Sequence, residues 1–195
     1  MQARSAASVD AILKATIQVL LRVGKERLTT TLVAQRAGVS VGTLYQYFPN
    51  KSALLRAVLE RHMEQVASAV ETVCREQRGH SLAEMTAALV TRFLAAKMQD
   101  IRTSVALYSV SSDIDGLKVV REMGVRVNRA VVSMLHSAKE SLTADTEMVA
   151  SMLQGMMAGV SRRLLESASP EGQYEKLRDE LTIAARAYVS SRVRS

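Results

Sequence analysis

Apolar residues recur along this 195-residue chain every three or four positions, and few stretches show the strict alternation of a strand. Val9, Ile12, Leu13, Ile17, Leu20 and Leu21 share one face of a helix from Val9 to about Val23, and Gly24 is expected to end it. Beyond Lys25-Glu26-Arg27, Thr29 is placed to cap a short helix through Arg36, whose inward positions are Leu32, Val33 and Ala37. Gly38 then turns the chain, since glycine enters the left-handed backbone region without a Cβ penalty. Ser40 can cap a second short helix from Val41 to about Tyr47, with Val39 where a hydrophobic staple sits. Pro49 stops that helix and Asn50 starts a long one.

Leu54, Leu55, Val58, Leu59, Met63, Val66, Val70 and Val73 keep the helical period from Lys51 to about Gln77, roughly 40 Å of rod at ~1.5 Å per residue. A helix of that length usually connects two units, so the expected division is 1–50 and 51–195. Arg78-Gly79-His80 breaks the rod, and Ser81-Leu82-Ala83-Glu84 has the capping-box pattern for a helix holding Met85, Leu89, Phe93 and Leu94. A shorter helix spans roughly Ile101 to Val110 and ends in Ser111-Ser112-Asp113. Beyond Gly116, Leu117, Val120, Met123, Val127, Val131 and Leu135 fall on one face. Thr143 is read as the cap of the next helix, which runs to about Ser167 with Val149, Leu153, Met156, Val160 and Leu164 in register. Ser169-Pro170 starts the last, which carries Leu177, Leu181, Ala184, Ala185 and Tyr188 along one side. The expectation is an all-α fold of about nine helices, a three-helix N-terminal domain followed by a larger helical one.

Composition agrees with helix, since there are only two prolines and nine glycines. The formal net charge of +7 matters more for where it lies. Up to His62, Arg4, Lys14, Arg22, Lys25, Arg27, Arg36, Lys51, Arg56 and Arg61 face only Asp10, Glu26 and Glu60, and the rest of the chain is nearly neutral. A polyanion is the natural partner of that first third, because clustered cations gain affinity by releasing counterions from phosphates. Cys74, the single cysteine, cannot form an internal disulfide, and neither a signal peptide nor a ~20-residue apolar run is visible, so a cytoplasmic protein with no membrane partner is expected.

Two short helices joined by a glycine-containing turn form a helix-turn-helix, whose second helix enters the DNA major groove. Here they are Thr30–Arg36 and Ser40–Tyr47. The small residues Ser40, Val41, Gly42 and Thr43 let the second helix approach base edges closely, while Leu44 and Phe48, four apart, face inward. Tyr45 and Tyr47 are left outward, where phenol hydroxyls reach phosphates; packing beneath the long helix would account for the same rings. Lys51, at a helix N-terminus, adds a charge-assisted contact.

The stretch LTTTLVAQRAGVSVGTLYQYFPNKSALL, Leu28 to Leu55, closely resembles the DNA-binding signature of the TetR family of bacterial transcriptional regulators. The matching elements are the threonine before the first short helix, Val33-Ala34, Ala37-Gly38-Val39-Ser40, Gly42-Thr43-Leu44-Tyr45, Tyr47-Phe48, Asn50-Lys51 and Leu54-Leu55. Leu20 or Leu21 stands where many members have Phe. The resemblance implies phosphate contacts from Thr29 and Thr31, a base-facing set of Ser40, Val41, Gly42 and Thr43, and backbone anchors in Tyr45, Tyr47 and Lys51. Val41 and Gly42 have no side-chain hydrogen bond to offer a base, so sequence choice falls to Thr43, Arg36, thymine methyl contacts or DNA shape.

The same resemblance implies a homodimer built on the last two helices and a small-molecule pocket among the central ones. Small residues at close-approach spacing support the dimer independently: Gly155, Ala158 and Gly159 beside Met156 and Val160, and Ala184-Ala185 on the last helix, where Leu181 and Tyr188 are further candidate contacts, although packing within one chain would use them too. Phe93, Met98, Tyr108, Met123, Met134 and Met152 are candidate walls of an apolar cavity for an unknown small-molecule effector, with Arg102 and Asn128 as polar contacts. No enzyme, cofactor or metal is expected: His62, His80 and His136 have no metal-ligand spacing, and no nucleophile elbow or phosphate-cradling loop occurs. The reading is a DNA-binding repressor released from a near-palindromic operator by a small apolar ligand. The alternative is a DNA-bound adaptor or nucleoid-associated protein without an effector.

Overall fold

A computed structural model of the chain describes residues 2–111 and 115–193, with side chains from Ser5 onward. Its helices, among the described residues, are α1 Gln2–Arg27, α2 Thr30–Ala37, α3 Val41–Tyr47, α4 Lys51–Glu76, α5 Leu82–Met98, α6 Ile101–Val110, α7 Gly116–Leu135, α8 Thr146–Leu165 and α9 Pro170–Ser190. The fold is all-α, as expected. The expected break at Ser112-Asp113 lies outside the described residues.

Local chemistry sets most helix ends. Thr29 is extended (φ −125°, ψ 153°) and its hydroxyl oxygen accepts the Leu32 N–H. Gly38 is left-handed (φ 70°, ψ 29°), which lets its N–H reach the last carbonyls of α2. Ser81 and Glu84 form the full reciprocal capping box. Three expectations need correction. α1 begins well before Val9, and Gly24 interrupts rather than ends it, because a φ of 76° there breaks the helical path before a last turn at Lys25–Arg27. Asp145, not Thr143, caps α8 by accepting the Glu147 N–H; Thr143 instead bonds the Arg192 carbonyl through both its N–H and its hydroxyl, beside an antiparallel bridge between Leu142 and Val193. In the first turns of α7, Leu117 is 75% exposed while Val119 is buried, so the apolar stripe there does not run through Leu117 and Val120.

The chain packs as two units. The first, the described part of Met1–Met63 with Arg102–Val120, buries Ile12, Leu28, Val33, Leu44, Leu54, Val58, Leu107, Val110 and Val119 in one core. The division therefore falls later than residue 50 and is discontinuous in sequence. The physical reason is size: the first three helices, about 50 residues in all, bury too little apolar surface alone, and the first half of α4 and most of α6 complete the core. Within this unit His62 is buried, with Nε2 at 3.2 Å from the Ser104 hydroxyl.

The second unit, the described part of Glu64–Ile101 and Arg121–Ser195, is built where α5, α8 and α9 pack on one another. Met85, Leu89, Leu94, Val131, Met134, Leu153, Met157, Leu181 and Ala185 fill its core. On its α4–α7 side, Arg126 donates two bonds to Glu71, at 2.5 and 2.6 Å, and one to Glu64 at 2.5 Å. Both carboxyls are held below their usual range by those bonds.

Candidate nucleic-acid interface

α3 is a seven-residue helix with a strict inside and outside. Leu44 is fully buried and Phe48, just past its end, is buried too, so the pair fastens the helix to the first unit's core. Opposite them Ser40, Gly42, Tyr45 and Gln46 are exposed, with Val41 and Thr43 half-buried at the first turn. Ser40 organises that turn: its oxygen accepts the Thr43 N–H at 2.9 Å and lies 2.8 Å from the Thr43 hydroxyl. A Cβ placed on Gly42 would meet only the Ser40 hydroxyl oxygen, at 3.8 Å, so nothing in the fold requires glycine there. What the missing side chain provides is open space in front of the helix.

The surrounding polar residues are cross-braced. The Tyr45 hydroxyl, on a side chain 48% exposed overall, lies 3.0 Å from the Thr30 hydroxyl and ties α3 to α2. Arg36 donates Nε to Gln18 of α1 at 2.6 Å. Thr31 is exposed, and the Thr29 oxygen is already engaged as a cap. Lys51 donates to the Lys25 carbonyl at 2.5 Å, so it also holds the chain just past the break at Gly24. Asn50 accepts the Ala53 N–H and starts α4. Tyr47 departs from the outward expectation: its ring is half-buried against the core, because position 47 lies only ~60° round the helical wheel from the inward position 44.

Charge follows the same sorting. Lys14 and Arg61 both bond Asp10, whose carboxyl is thereby held below its usual range, and Arg56 pairs with Glu60. Arg22, Arg27, Arg36 and Lys51 have no carboxylate partner among the described residues. One side chain escaped the sequence reading. Gln46 is exposed, has no hydrogen bond among the described residues, and follows Gly42 by four and Thr43 by three, on their face of the helix. Its amide can pair with adenine or donate to a phosphate.

The other expected sites are less coherent. Of the pocket candidates, Tyr108 and Arg102 belong to the first unit and are exposed, whereas Phe93, Met98, Met123, Asn128, Met134 and Met152 belong to the second. Met134 is plain core, fully buried, and Met152 lies on the outer side of α8, 45% exposed. Asn128 accepts a bond from Gln154. A methionine at helical spacing suits a core and a cavity wall equally, which is why these residues scatter. Of the expected dimer contacts, Gly155, Gly159 and Ala184 are exposed, but Leu181 and Ala185 are buried in their own unit, and Met156, Val160 and Tyr188 lean on that core. The inward stripe of α9 runs through Leu181, Ala185 and Val189. Burial pushes the Cys74 thiol up to about 12, which keeps it protonated and unreactive near neutral pH. Among the described residues no group of three or more His, Cys, Asp or Glu is placed to hold a metal, and no helix is long and apolar enough to cross a membrane.

Comparison with known proteins adds an independent line. The family described as "Bacterial regulatory proteins, tetR family" matches residues 12–58, and "Tetracyclin repressor-like, C-terminal domain" matches residues 81–188. The nucleoid occlusion factor SlmA of Haemophilus ducreyi is 38% identical over 60 residues, 31% of this chain and 30% of that protein. The HTH-type transcriptional repressor KstR of Rhodococcus jostii is 46% identical over 57 residues, 29% of this chain and 27% of its own. The matched stretch is thus less than a third of either relative. A solved TetR-family structure from Mesorhizobium loti has the same fold, with a TM-score of 0.81, 20% identity, and coverage of 98% of this chain and 99% of that one.

Proposed function

Because the chain belongs to the TetR family of bacterial regulatory proteins, a family of DNA-binding transcriptional regulators, we propose that it is a homodimeric cytoplasmic repressor, released from its operator by a small molecule. The observation that carries the DNA half of this reading is the outer face of α3: a capped first turn, open space at Gly42, and the free or braced polar groups of Thr43, Tyr45 and Gln46 around it. Arg22, Arg27, Arg36 and Lys51 supply the counterion-releasing charge. KstR, with which the chain shares its 57-residue match, is named a repressor.

Self-association is supported by the outer sides of α8 and α9. Met148 is 58% exposed, Met152 45% and Ile183 64%, and Gly155, Gly159, Ala184 and Ala187 on the same two helices are exposed too. A Cβ at Gly155 or Gly159 would meet no heavy atom of its own chain within 4 Å, so these glycines leave room for a second copy rather than for a neighbour in the same chain. A two-fold dimer would set its two reading helices ~34 Å apart and require a near-palindromic operator.

Selection of bound sequences from a random duplex pool by the purified protein, at a stated salt concentration, tests the proposal. Two half-sites in a near-palindrome are expected. Binding to every duplex alike, steeply weakened by salt, would favour instead a DNA-bound adaptor without an effector, a reading that the stretch shared with SlmA, named as a nucleoid occlusion factor, supports.

A further inference from the structure

A groove of about 450 Å³ opens in the second unit along one face of α7, lined by Asn128, Arg129, Val132, Ser133 and His136, with Arg78 beyond the end of α4, Ser137, and Glu147 in the first turn of α8. That volume lies within the range of small-molecule sites. Several of the lining's hydrogen-bond donors are uncommitted. Arg129 makes no hydrogen bond, ion pair or ring contact among the described residues. Arg78 donates one N–H to the Ser133 hydroxyl at 2.9 Å, which holds its guanidinium in place and leaves its other N–H groups and the Ser133 O–H unused. Asn128 accepts from Gln154 through its oxygen, which leaves its NH2 as a donor. Ser137 alone is fully engaged, accepting from the Gly79 N–H and donating to the Met134 carbonyl.

Arg78 and His136 lie at helix C-termini, where cations are ordinary. Arg129 sits within α7, away from either helix end, and shares the groove's face with Ser133 four residues on. Two guanidiniums face one carboxylate, Glu147, so the groove keeps a net positive charge even with the imidazole neutral. Planar guanidinium forks match the two-oxygen edge of a carboxylate or phosphate. We propose that this groove binds the oxyanion group, carboxylate or phosphate, of a small organic ligand, through Arg78 and Arg129 with Ser133 and the Asn128 amide as further donors. This deepens the ligand-released reading above and, as the effector site, rests on it. It also replaces the expected apolar effector with an anionic one.

The test is calorimetric titration of the full-length protein with succinate, inorganic phosphate and uncharged succinamide at constant ionic strength, repeated on Arg129→Gln and Glu147→Gln. Both side chains are exposed, and their replacement leaves the core intact. Succinate or phosphate should bind, succinamide should not, Arg129→Gln should weaken binding about tenfold or more, and Glu147→Gln should tighten it about threefold. Opposite shifts from two neighbouring positions are not what a general loss of structure produces. The stronger of the two anions separates an organic acid from a phosphate ester, and either outcome supports the site. No binding by either anion below about 10 mM, equal binding of succinamide, or affinities unmoved by both variants would overturn it. The same titrations in the presence of the selected operator keep the two ideas apart: anion binding with the expected variant pattern but no change in operator affinity sustains the groove and refutes its role as the releasing site.

Discussion

The proposed reading surface of the first unit and the outer face of the second are built by opposite means. On α3 every functional group from Ser40 to Gln46 lies within seven consecutive residues, and their arrangement is set by bonds three or four positions apart, the Tyr45–Thr30 hydroxyl contact and the buried pair Leu44 and Phe48. On α8 and α9 the exposed Met148, Met152, Gly155, Gly159, Ile183 and Ala184 come from two helices 20 and 21 residues long, and only the packing of both on α5 determines which side is left outside. A short surface of the first kind can be rewritten by one substitution without disturbing the fold. A surface of the second kind inherits its orientation from the core.

The comparison can be broken most severely at Leu44. Leu44→Ala should cost the first unit about 2–5 kcal/mol and remove DNA binding with it, seen as an early loss of helical signal in denaturant; an unchanged midpoint would mean that α3 is not anchored through this residue. Gly159→Leu should leave the monomer folded but halve the mass in solution and lower operator affinity by about 100-fold, since the two heads would no longer bind as one. A normal dimer mass would refute that placement of the interface.

Gly42→Ala separates fold from function inside α3. The new methyl has room, so stability should rise by about 0.5–1 kcal/mol while operator affinity falls; tighter DNA binding would show that the open space is not used by DNA. For Lys51→Ala, binding to all sequences should weaken and the salt slope shrink by ~1, accompanied by a small loss of stability because the Lys25 carbonyl loses its donor. An unchanged slope would confine Lys51 to its structural bond.

The mildest effect belongs to the second unit. Arg126→Met should lower its melting temperature near neutral pH, where Glu64 and Glu71 are ionised and bonded. Their folded-state pKa values are depressed, so this stabilisation is complete above the ordinary carboxylate range and is lost as pH falls through the lowered values. The gap between variant and wild type should therefore close on acidification. A gap that stayed constant with pH would assign the role of Arg126 to packing alone.

What was legible in the sequence follows from interaction range. The caps at Thr29, Ser40 and Ser81, the left-handed turn at Gly38 and the inward pair Leu44 and Phe48 all depend on residues within five positions of each other, so the helices and the reading head could be derived from spacing. Side choice on an amphipathic helix is different, because several adjacent stripes satisfy the same period and only a neighbouring helix selects among them. That is why Leu181, Ala185 and Tyr47 turn inward, why Met134 is core and Met152 is not, and why Thr143 meets Arg192 instead of capping α8. The division into units has the same cause: α4 and α6 complete the first core because the first three helices bury too little on their own, a shortfall of area that no local pattern records. By itself the sequence determined which segments are helical and which short one is proposed to read DNA. Tertiary packing decided which faces stay outside to meet a partner, because burial is a property of neighbours brought together from distant parts of the chain.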